Sequence, residues 1–402
     1  MGGYATGVAA KEGMAALCDV DEARAAKHFK KFPDVPKFKD FRVMLDKMAD
    51  DIDAVAISTP DHTQFAAAMA AMERGKHVFV QKPLAHDIWQ CRTLRKAAKH
   101  YKVVTQMGNQ GHTFEGMRRI KEWTDAGIIG DVKEVITWTN RPNAPWFVPP
   151  SQFPPKSGPA PSTLDWDLWQ GPAKKREYSA DYVPTRWRGW WDYGCGALGD
   201  IGCHTFDAPF YVLGLGSPTK VEVDRVEPPG PGFIPMGSVV TYHFPARGDK
   251  PPVTLKWFEG PTPPKTPEDF AYPIEPGGGL IMVGEKGGIS HGARAKSPKL
   301  YPEERWEAYR KDPEAQVPKT LPRVKGGLHA DWVSAIKEGR KACSDFSYAG
   351  PLTELILLGT LAVRTGKGFK LDGDAMKILG NPEAAALVKV EARPGWDIKD
   401  LA

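Results

Sequence analysis

Strand-like and helix-like segments alternate through the first 110 residues, and this alternation limits the fold more than any other feature of the chain. Met14–Val20 (MAALCDV), Asp53–Ser58 (DAVAIS), His77–Val80 (HVFV) and Val103–Gln106 (VVTQ) are short apolar runs of strand length. Between them, Asp61–Arg74 places Phe65, Met69 and Met72 at i, i+4 and i+7 and runs into Gly75. Asp87–His100 places Ile88, Cys91 and Leu94 on one helical face. Strands separated by helices of this length imply βαβ units and a parallel sheet.

The pattern changes after Phe114–Ala126, read as a helix stopped by Gly127. Val132–Trp138, Lys220–Val226, Ser238–Phe244 and Val253–Phe258 alternate with period two, and Gly279–Gly284 reads as a further strand. Such runs predict a mostly antiparallel sheet with one solvated or helix-covered face. Helices return at Ala330–Glu338 and Leu352–Thr365. Residues Arg141–Pro184 hold ten prolines and little periodicity, and a long irregular stretch in a compact domain is functional or a covering arm. The expected architecture is a doubly wound Rossmann-type α/β domain over residues 1–113. It is followed by a C-terminal α+β domain over 114–402 with a mostly antiparallel open sheet and a Pro/Trp-rich arm at 141–191.

A dinucleotide-binding domain opens with a strand, a glycine-rich turn and a helix. This chain opens inside that turn, at Met1-Gly2-Gly3-Tyr4, with a helix following over about Tyr4–Lys11. Asp19 lies 17 positions beyond Gly2, near where an acidic residue bonds the adenosine ribose hydroxyls. Gly2, Gly3 and Asp19 are therefore candidate cofactor contacts, although glycines before a helix also serve plain turns. The expectation is that the first strand is missing and that the written start is an internal methionine of a longer protein. The loss would be ~5 buried aliphatic residues, on the order of 10 kcal/mol.

Two further motifs carry chemistry. The third strand runs into Gln81-Lys82-Pro83, and the carboxyl end of a parallel strand is where ligands bind in such sheets. Lys82 is read either as a cationic donor near cofactor and substrate or as an exposed turn lysine. The segment Gly194–His204 (GCGALGDIGCH) sets Asp200 and His204 four apart, on one face if helical. A carboxylate and an imidazole there can bind a diol and take its proton, or they can be a helix-start carboxylate and a satisfied buried histidine. Seven of the 13 tryptophans (Trp138, Trp146, Trp166, Trp169, Trp187, Trp190 and Trp191) fall between residues 138 and 191. Their faces can stack on a pyranose, with Arg141, Arg186 or Arg188 reaching hydroxyls or an acid group, or they can staple the arm in place.

In combination, Pro60-Asp61-His62, Lys82-Pro83, Gly108-Asn109-Gln110, Asp200…His204 and the closing Arg393-Pro394-Gly395-Trp396 resemble the glucose–fructose oxidoreductase / inositol dehydrogenase / MocA (Gfo/Idh/MocA) family along essentially the whole chain. The resemblance implies an NAD(P)-dependent dehydrogenase acting on a sugar, polyol or related alcohol, with a homo-oligomer (dimer or tetramer) formed through the open sheet. It makes Lys82 the active-site lysine, Asp200 the substrate-binding aspartate and His204 the proton-transfer histidine. It sets Ser58, Thr59, Pro60, His62, Gln81, Asn109 and Gln110 beside the cofactor. Arg141, Arg188, Trp190 and Trp191 are the further substrate-binding candidates. Gln81 departs from the glutamate common before the lysine, which removes a negative charge beside it. Asp19 favours NAD over NADP, because a second carboxyl charge repels the 2′-phosphate. Arg24, close by, tempers that preference. Two alternatives share these residues: an NAD-dependent glycoside hydrolase or lyase that oxidises the sugar transiently, and a carbohydrate-binding protein that has lost its cofactor site.

Composition excludes other classes. A formal charge of 54 − 49 = +5 over 402 residues predicts no nucleic-acid or membrane partner. No apolar run approaches the ~18 residues of a spanning helix. Five cysteines (Cys18, Cys91, Cys195, Cys203, Cys343) without CxxC spacing predict neither a disulfide framework nor a metal site. The written start carries no export signal, so the expected location is cytoplasmic, or periplasmic if an upstream signal precedes it.

Overall fold

The computed structural model describes residues 2–398. Its first part is a Rossmann-type domain built as the alternation requires. Strand β1 (Leu17–Cys18) pairs in parallel with β2 (Lys37–Phe38). Strands β3 (Ala54–Ile57), β4 (His77–Val80) and β5 (Thr105–Met107) form a second parallel sheet. Among the described residues the two groups are not hydrogen-bonded to each other. Short acidic side chains start the connecting helices. Asp21 caps Glu22–Lys31, Asp40 caps Phe41–Lys47 and Asp87 caps Ile88–His100, each accepting from backbone N–H groups of the first turn. Helix Asp61–Glu73 is buried on nearly every side, and its five alanines let it sit inside rather than on the surface. The run Met14–Val20 contributes only two paired residues. The fourth strand starts at Thr105 rather than Val103, because the Val104 N–H is taken by His77 Nδ1 at 2.9 Å.

The second part is a nine-stranded sheet of β6 (Val132–Thr139), β7 (Lys220–Val226), β8 (Ser238–Phe244), β9 (Val253–Glu259), β10 (Gly279–Gly284), β11 (Gly287–Gly292), β12 (Lys296–Tyr301), β13 (Phe369–Asp372) and β14 (Lys377–Leu379). Their order is β12-β11-β10-β6-β9-β8-β7-β13-β14. Every pairing is antiparallel except β6 with β9. One face joins the main core. The other carries its own apolar cluster of Ile136, Trp138, Val239, Phe258, Ile281 and Tyr301, on which Phe270 and Tyr272 of the proline-rich 261–276 loop are packed.

The chain then returns to the first sheet. Helix Gly327–Glu338 sets His329 flat on Phe79, with centroids 4.2 Å apart, and Trp332 against its edge. The Met107 N–H donates to Ser344 O at 2.9 Å, and the Ser344 N–H donates to Gln106 Oε1 at 2.7 Å. Helix Phe346–Thr365 follows. By length and composition its 20 residues are apolar enough to cross a bilayer, which the reading of the sequence did not anticipate. In the fold it is a core helix, packed on helices Ile88–His100 and Gly196–Thr205 and on β7 and β8, with most of its side chains buried.

Gly359 is where this helix comes closest to the sheet. A Cβ there would stand 1.7 Å from Tyr242 Oη and 2.6 Å from Leu198, and Tyr242 is fully buried. Gly359→Ala is expected to cost about 1–3 kcal/mol of unfolding free energy through overpacking, read as a lower urea midpoint at unchanged slope.

Candidate active site

Three strand ends define the site. The register aligns Ile57, Val80 and Met107 across β3, β4 and β5, so Ser58, Gln81 and Gly108 emerge side by side at the carboxyl edge. The Gln81 N–H donates to Ile57 O at 3.0 Å and the Gly108 N–H to Val80 O at 2.9 Å. Gly108 leaves room for the Gln81 side chain, since a Cβ would lie 2.5 Å from Gln81 Oε1 and push it aside. Lys82 follows Gln81 and is joined to Pro83 by a cis peptide.

Opposite this edge lies helix Gly196–Thr205, buried throughout. Its glycines permit the approach. Gly202 packs on Ile356, and Gly196 holds φ at +70°, a left-handed conformation that glycine adopts without strain. The helix presents Asp200 to Lys82, whose Nζ donates to Asp200 Oδ1 at 2.6 Å and to Asp200 O. Arg141 Nε donates to Asp200 Oδ2 at 2.8 Å, and Arg188 Nε stands 3.9 Å from Oδ1. Burial pushes the Asp200 carboxyl up, but Lys82, Arg141 and Arg188 together outweigh it and hold the group well below the usual carboxylate range.

One turn further on is His204, 1% exposed. Burial first, then the charges of Lys82, Arg294 and Arg141, push its imidazole well below the usual histidine value, with Asp200 opposing them. The ring is neutral at neutral pH. Both of its nitrogens are buried without a hydrogen-bond partner among the described residues, and so are Ser58 Oγ, Gln81 Oε1, Asn109 Oδ1 and Gln110 Oε1. Native structures seldom leave such atoms unpaired. A ligand rich in hydroxyl and amide groups fits this set, as a dinucleotide with a polyol does.

The other residues singled out in the sequence fall as follows. Gly2 and Gly3 open helix Gly2–Glu12. Asp19 is exposed just beyond β1, and its carboxylate accepts the Asp21 N–H at 3.0 Å. Thr59 is exposed, and Pro60 caps helix Asp61–Glu73. His62 is buried beneath the arm, with Nδ1 3.2 Å from Tyr193 O and Nε2 3.0 Å from Trp169 O, so it anchors that arm. Trp190 and Trp191 are held by packing in the fold. They are 6% and 8% exposed; Trp190 packs edge-on against Tyr182 and Phe233 and donates its indole N–H to Asp181 O. Among the seven clustered tryptophans Trp146 and Trp166 stay partly exposed, with the Arg141 guanidinium 5.0 Å over the Trp146 ring.

Three residues were missed. Asp61 is buried, and its Oδ2 accepts the Cys195 N–H at 3.2 Å. Burial pushes its carboxyl up to about 7 against the pull of Arg188 and Lys82. Asp207 is fully buried and accepts from Asn109 Nδ2 at 3.1 Å and Tyr348 Oη at 2.5 Å, with His112 Nδ1 2.9 Å away. Arg294 projects its charge towards His204 and Asp200 from a turn far along the chain. Asp61 stood inside a recognised motif and Asp207 three residues past His204, so position was a usable signal for both. Arg294 had none.

A model of the Gfo/Idh/MocA oxidoreductase family, NAD-binding Rossmann fold, matches residues 6–109, and the C-terminal alpha/beta domain of the same family matches residues 117–230. The chain belongs to this family. It is 24% identical over 203 residues to levoglucosan dehydrogenase of Pseudarthrobacter phenanthrenivorans, covering 49% of this chain and 42% of that protein. It is 29% identical over 83 residues to 2,7-anhydro-N-acetylneuraminate hydratase of Mediterraneibacter gnavus, covering 21% of this chain and 22% of that protein. The chain thus spans less than half the length of these curated relatives. The WlbA dehydrogenase of Bordetella pertussis, solved with NADH and UDP-GlcNAcA, superimposes with a TM-score of 0.60 at 15% identity over 92% of this chain and 95% of that one. The fold is therefore that of the family's dehydrogenases.

Asp200→Asn tests the electrostatic frame. Losing the carboxylate leaves Lys82, Arg141 and Arg188 facing one another in a buried site, which is expected to cost about 3–5 kcal/mol. The folded-state carboxyl titrates below its unfolded value of 3.8, so its stabilisation is complete above that pH and is lost as pH falls through the depressed value. Asp200's own share of the gap between wild type and variant should narrow only below about pH 4, while between about pH 5 and 8 the gap also follows Asp61, whose carboxyl burial and then the Asp200 charge push up; denaturant titration at each pH measures both.

Proposed function

We propose that this protein transfers a hydride between a hydroxyl-bearing carbon of a sugar, polyol or glycoside and a nicotinamide dinucleotide. The reading rests on one juxtaposition: a neutral, unpartnered imidazole lies one helical turn from an aspartate ion-paired to a lysine at a parallel-strand end. Gly2, Gly3 and Asp19 would hold the adenosine end of the cofactor, and Ser58, Thr59, Pro60, Gln81, Asn109 and Gln110 the end nearer the chemistry. Bound there, the nicotinamide supplies the hydride acceptor or donor.

The protein's own groups handle the proton and the charge. In the oxidative direction the substrate hydroxyl gives its proton to His204, which burial keeps neutral and ready to accept. Lys82 stabilises negative charge developing on that oxygen in a site screened from water. Asp200, held ionised by its cations, accepts from neighbouring hydroxyls and fixes the ring. Arg141 and the half-exposed face of Trp146 border the substrate side. The Asp19 carboxylate supports NAD rather than NADP. Redox-assisted hydration or glycoside cleavage is the second reading, favoured by the likeness to the hydratase. It differs in giving product without net NADH.

His204→Ala is expected to lower the catalytic rate by about 10²–10⁴-fold while NADH affinity, followed by nicotinamide fluorescence, stays within about twofold of wild type. Because a base is active when deprotonated and this imidazole titrates well below 6.5, the rate should stay level through pH 6.5 and fall only at distinctly more acid pH, as the imidazole takes up a proton. Asp19→Ser should narrow the NAD-to-NADP preference in steady-state assays. A panel of polyols and glycosides read for both NADH and bond cleavage separates the two reactions.

A further inference from the structure

The charges around Asp200 do not balance. Lys82, Arg141, Arg188 and Arg294 gather about the two carboxylates Asp200 and Asp61, and arginine does not give up its proton in proteins. Three of these cations are accounted for. Lys82 and Arg141 bond Asp200 directly, while Arg188 reaches towards Asp200 and donates to Thr185 O at 3.2 Å. The Arg294 guanidinium has neither a hydrogen bond nor an ion pair among the described residues.

Arg294 is nevertheless held firmly. It lies in the turn Ala293–Ala295, between β11 and β12, with φ at +66°. Ala295 and Ser297 also sit in the left-handed region, at +55° and +48°. Residues with a Cβ adopt that region at a cost, and such strain gathers at ligand-binding turns. Two glycines clamp the turn. A Cβ on Gly111 would fall 2.8 Å from Arg294 Cα, and one on Gly116 would fall 1.9 Å from Ala295 O. The turn is thereby pressed against the helix that carries Asp200 and His204. Burial first, then the like charge of Arg141, work against the guanidinium, and Asp200 opposes them from beyond ion-pair distance. A rigidly presented, half-buried cation with no direct ion-pair partner, beside a proton-accepting histidine, is best met by an anionic group.

We infer that the substrate is an anionic sugar, whose carboxylate or phosphate pairs with the Arg294 guanidinium while a hydroxyl lies at His204. The inference rests on the oxidoreductase reading above for the role of His204, and it adds the class of substrate. A planar fork of donors suits bidentate capture of such a group.

The test is equilibrium binding to the full chain, so it does not depend on turnover. D-glucuronate, D-galacturonate, D-gluconate and glucose 6-phosphate are titrated by calorimetry alongside glucose and myo-inositol, into wild type, Arg294→Met and Arg294→Gly, with and without NADH. In wild type at least one anionic sugar should bind about tenfold or more tighter than the neutral ones. The acid or phosphate arm that shows this names the group. Both variants should lose that advantage while NADH affinity is unchanged. Arg294→Gly should melt no lower than wild type, because glycine relieves the turn; a purely structural arginine would lower it. The inference fails if no anionic sugar outbinds glucose and myo-inositol, if the variants keep the preference, or if they lose NADH affinity in parallel. Anion binding without NADH formation would retain Arg294 and remove the dehydrogenase. NADH formation from neutral polyols alone would do the reverse.

Discussion

The buried ion pair between Lys82 and Asp200 is the constraint around which the molecule is arranged. Both side chains are about nine-tenths hidden from water, and a charge so placed is tolerable only when paired and fully bonded. The pair therefore demands that the end of β4 and the helix Gly196–Thr205 meet within hydrogen-bond distance, although 118 residues separate them. The small residues of the helix, the flat Gly108 beside Gln81 and the glycine in the left-handed region at its start all serve that approach.

Around this contact the polar groups divide by whether the protein satisfies them. Asp207 is bonded by Asn109 and Tyr348 and fixes the loop after β5. Asp61 ties the loop after β3 to the first turn of the Asp200 helix. These buried networks hold the scaffold. Asp200 itself is held ionised by cations, whereas His204, Gln81, Ser58 and Gln110 keep buried atoms unpaired. An edge of satisfied supports carrying unsatisfied tips is what a preorganised ligand site requires.

The proline- and tryptophan-rich arm acts mainly as a staple. Trp166 lies flat on Trp169, with centroids 4.8 Å apart, and Tyr182 and Tyr193 close the cluster over His62. This stack covers the start of helix Asp61–Glu73, so the arm locks the strand end in place from above. Prolines suit that task because their fixed φ lowers the entropy an irregular segment loses on ordering. At Gly189 and Gly194 the chain folds back on itself closely enough that a Cβ would strike Phe233 or the backbone of Trp187 and Arg188. Arg188 is thereby set beside Asp200.

Local pattern was enough to read four of the five parallel strands, the helices after β3 and β4, and five of the nine strands of the large sheet, because burial of one face imposes a periodicity that sequence displays directly. Strand-end position and helix spacing left Lys82 and the Asp200–His204 pair each open to a plain structural reading, and it was the resemblance to the family that joined the three. Which tryptophans face inward was not legible, since an indole in an irregular arm has no period to betray its direction. Nor was the return of helix Phe346–Thr365 to the core, whose composition fits a bilayer as well as a protein interior. Arg294 marks the limit most clearly. Nothing near it in the chain speaks of chemistry, and only the long-range packing of one strained turn against two glycines brings its charge to the site. The sequence by itself determined the elements and their chemical groups through local sterics and periodic burial. The tertiary structure alone decided which charges meet, because that depends on contacts between segments hundreds of residues apart.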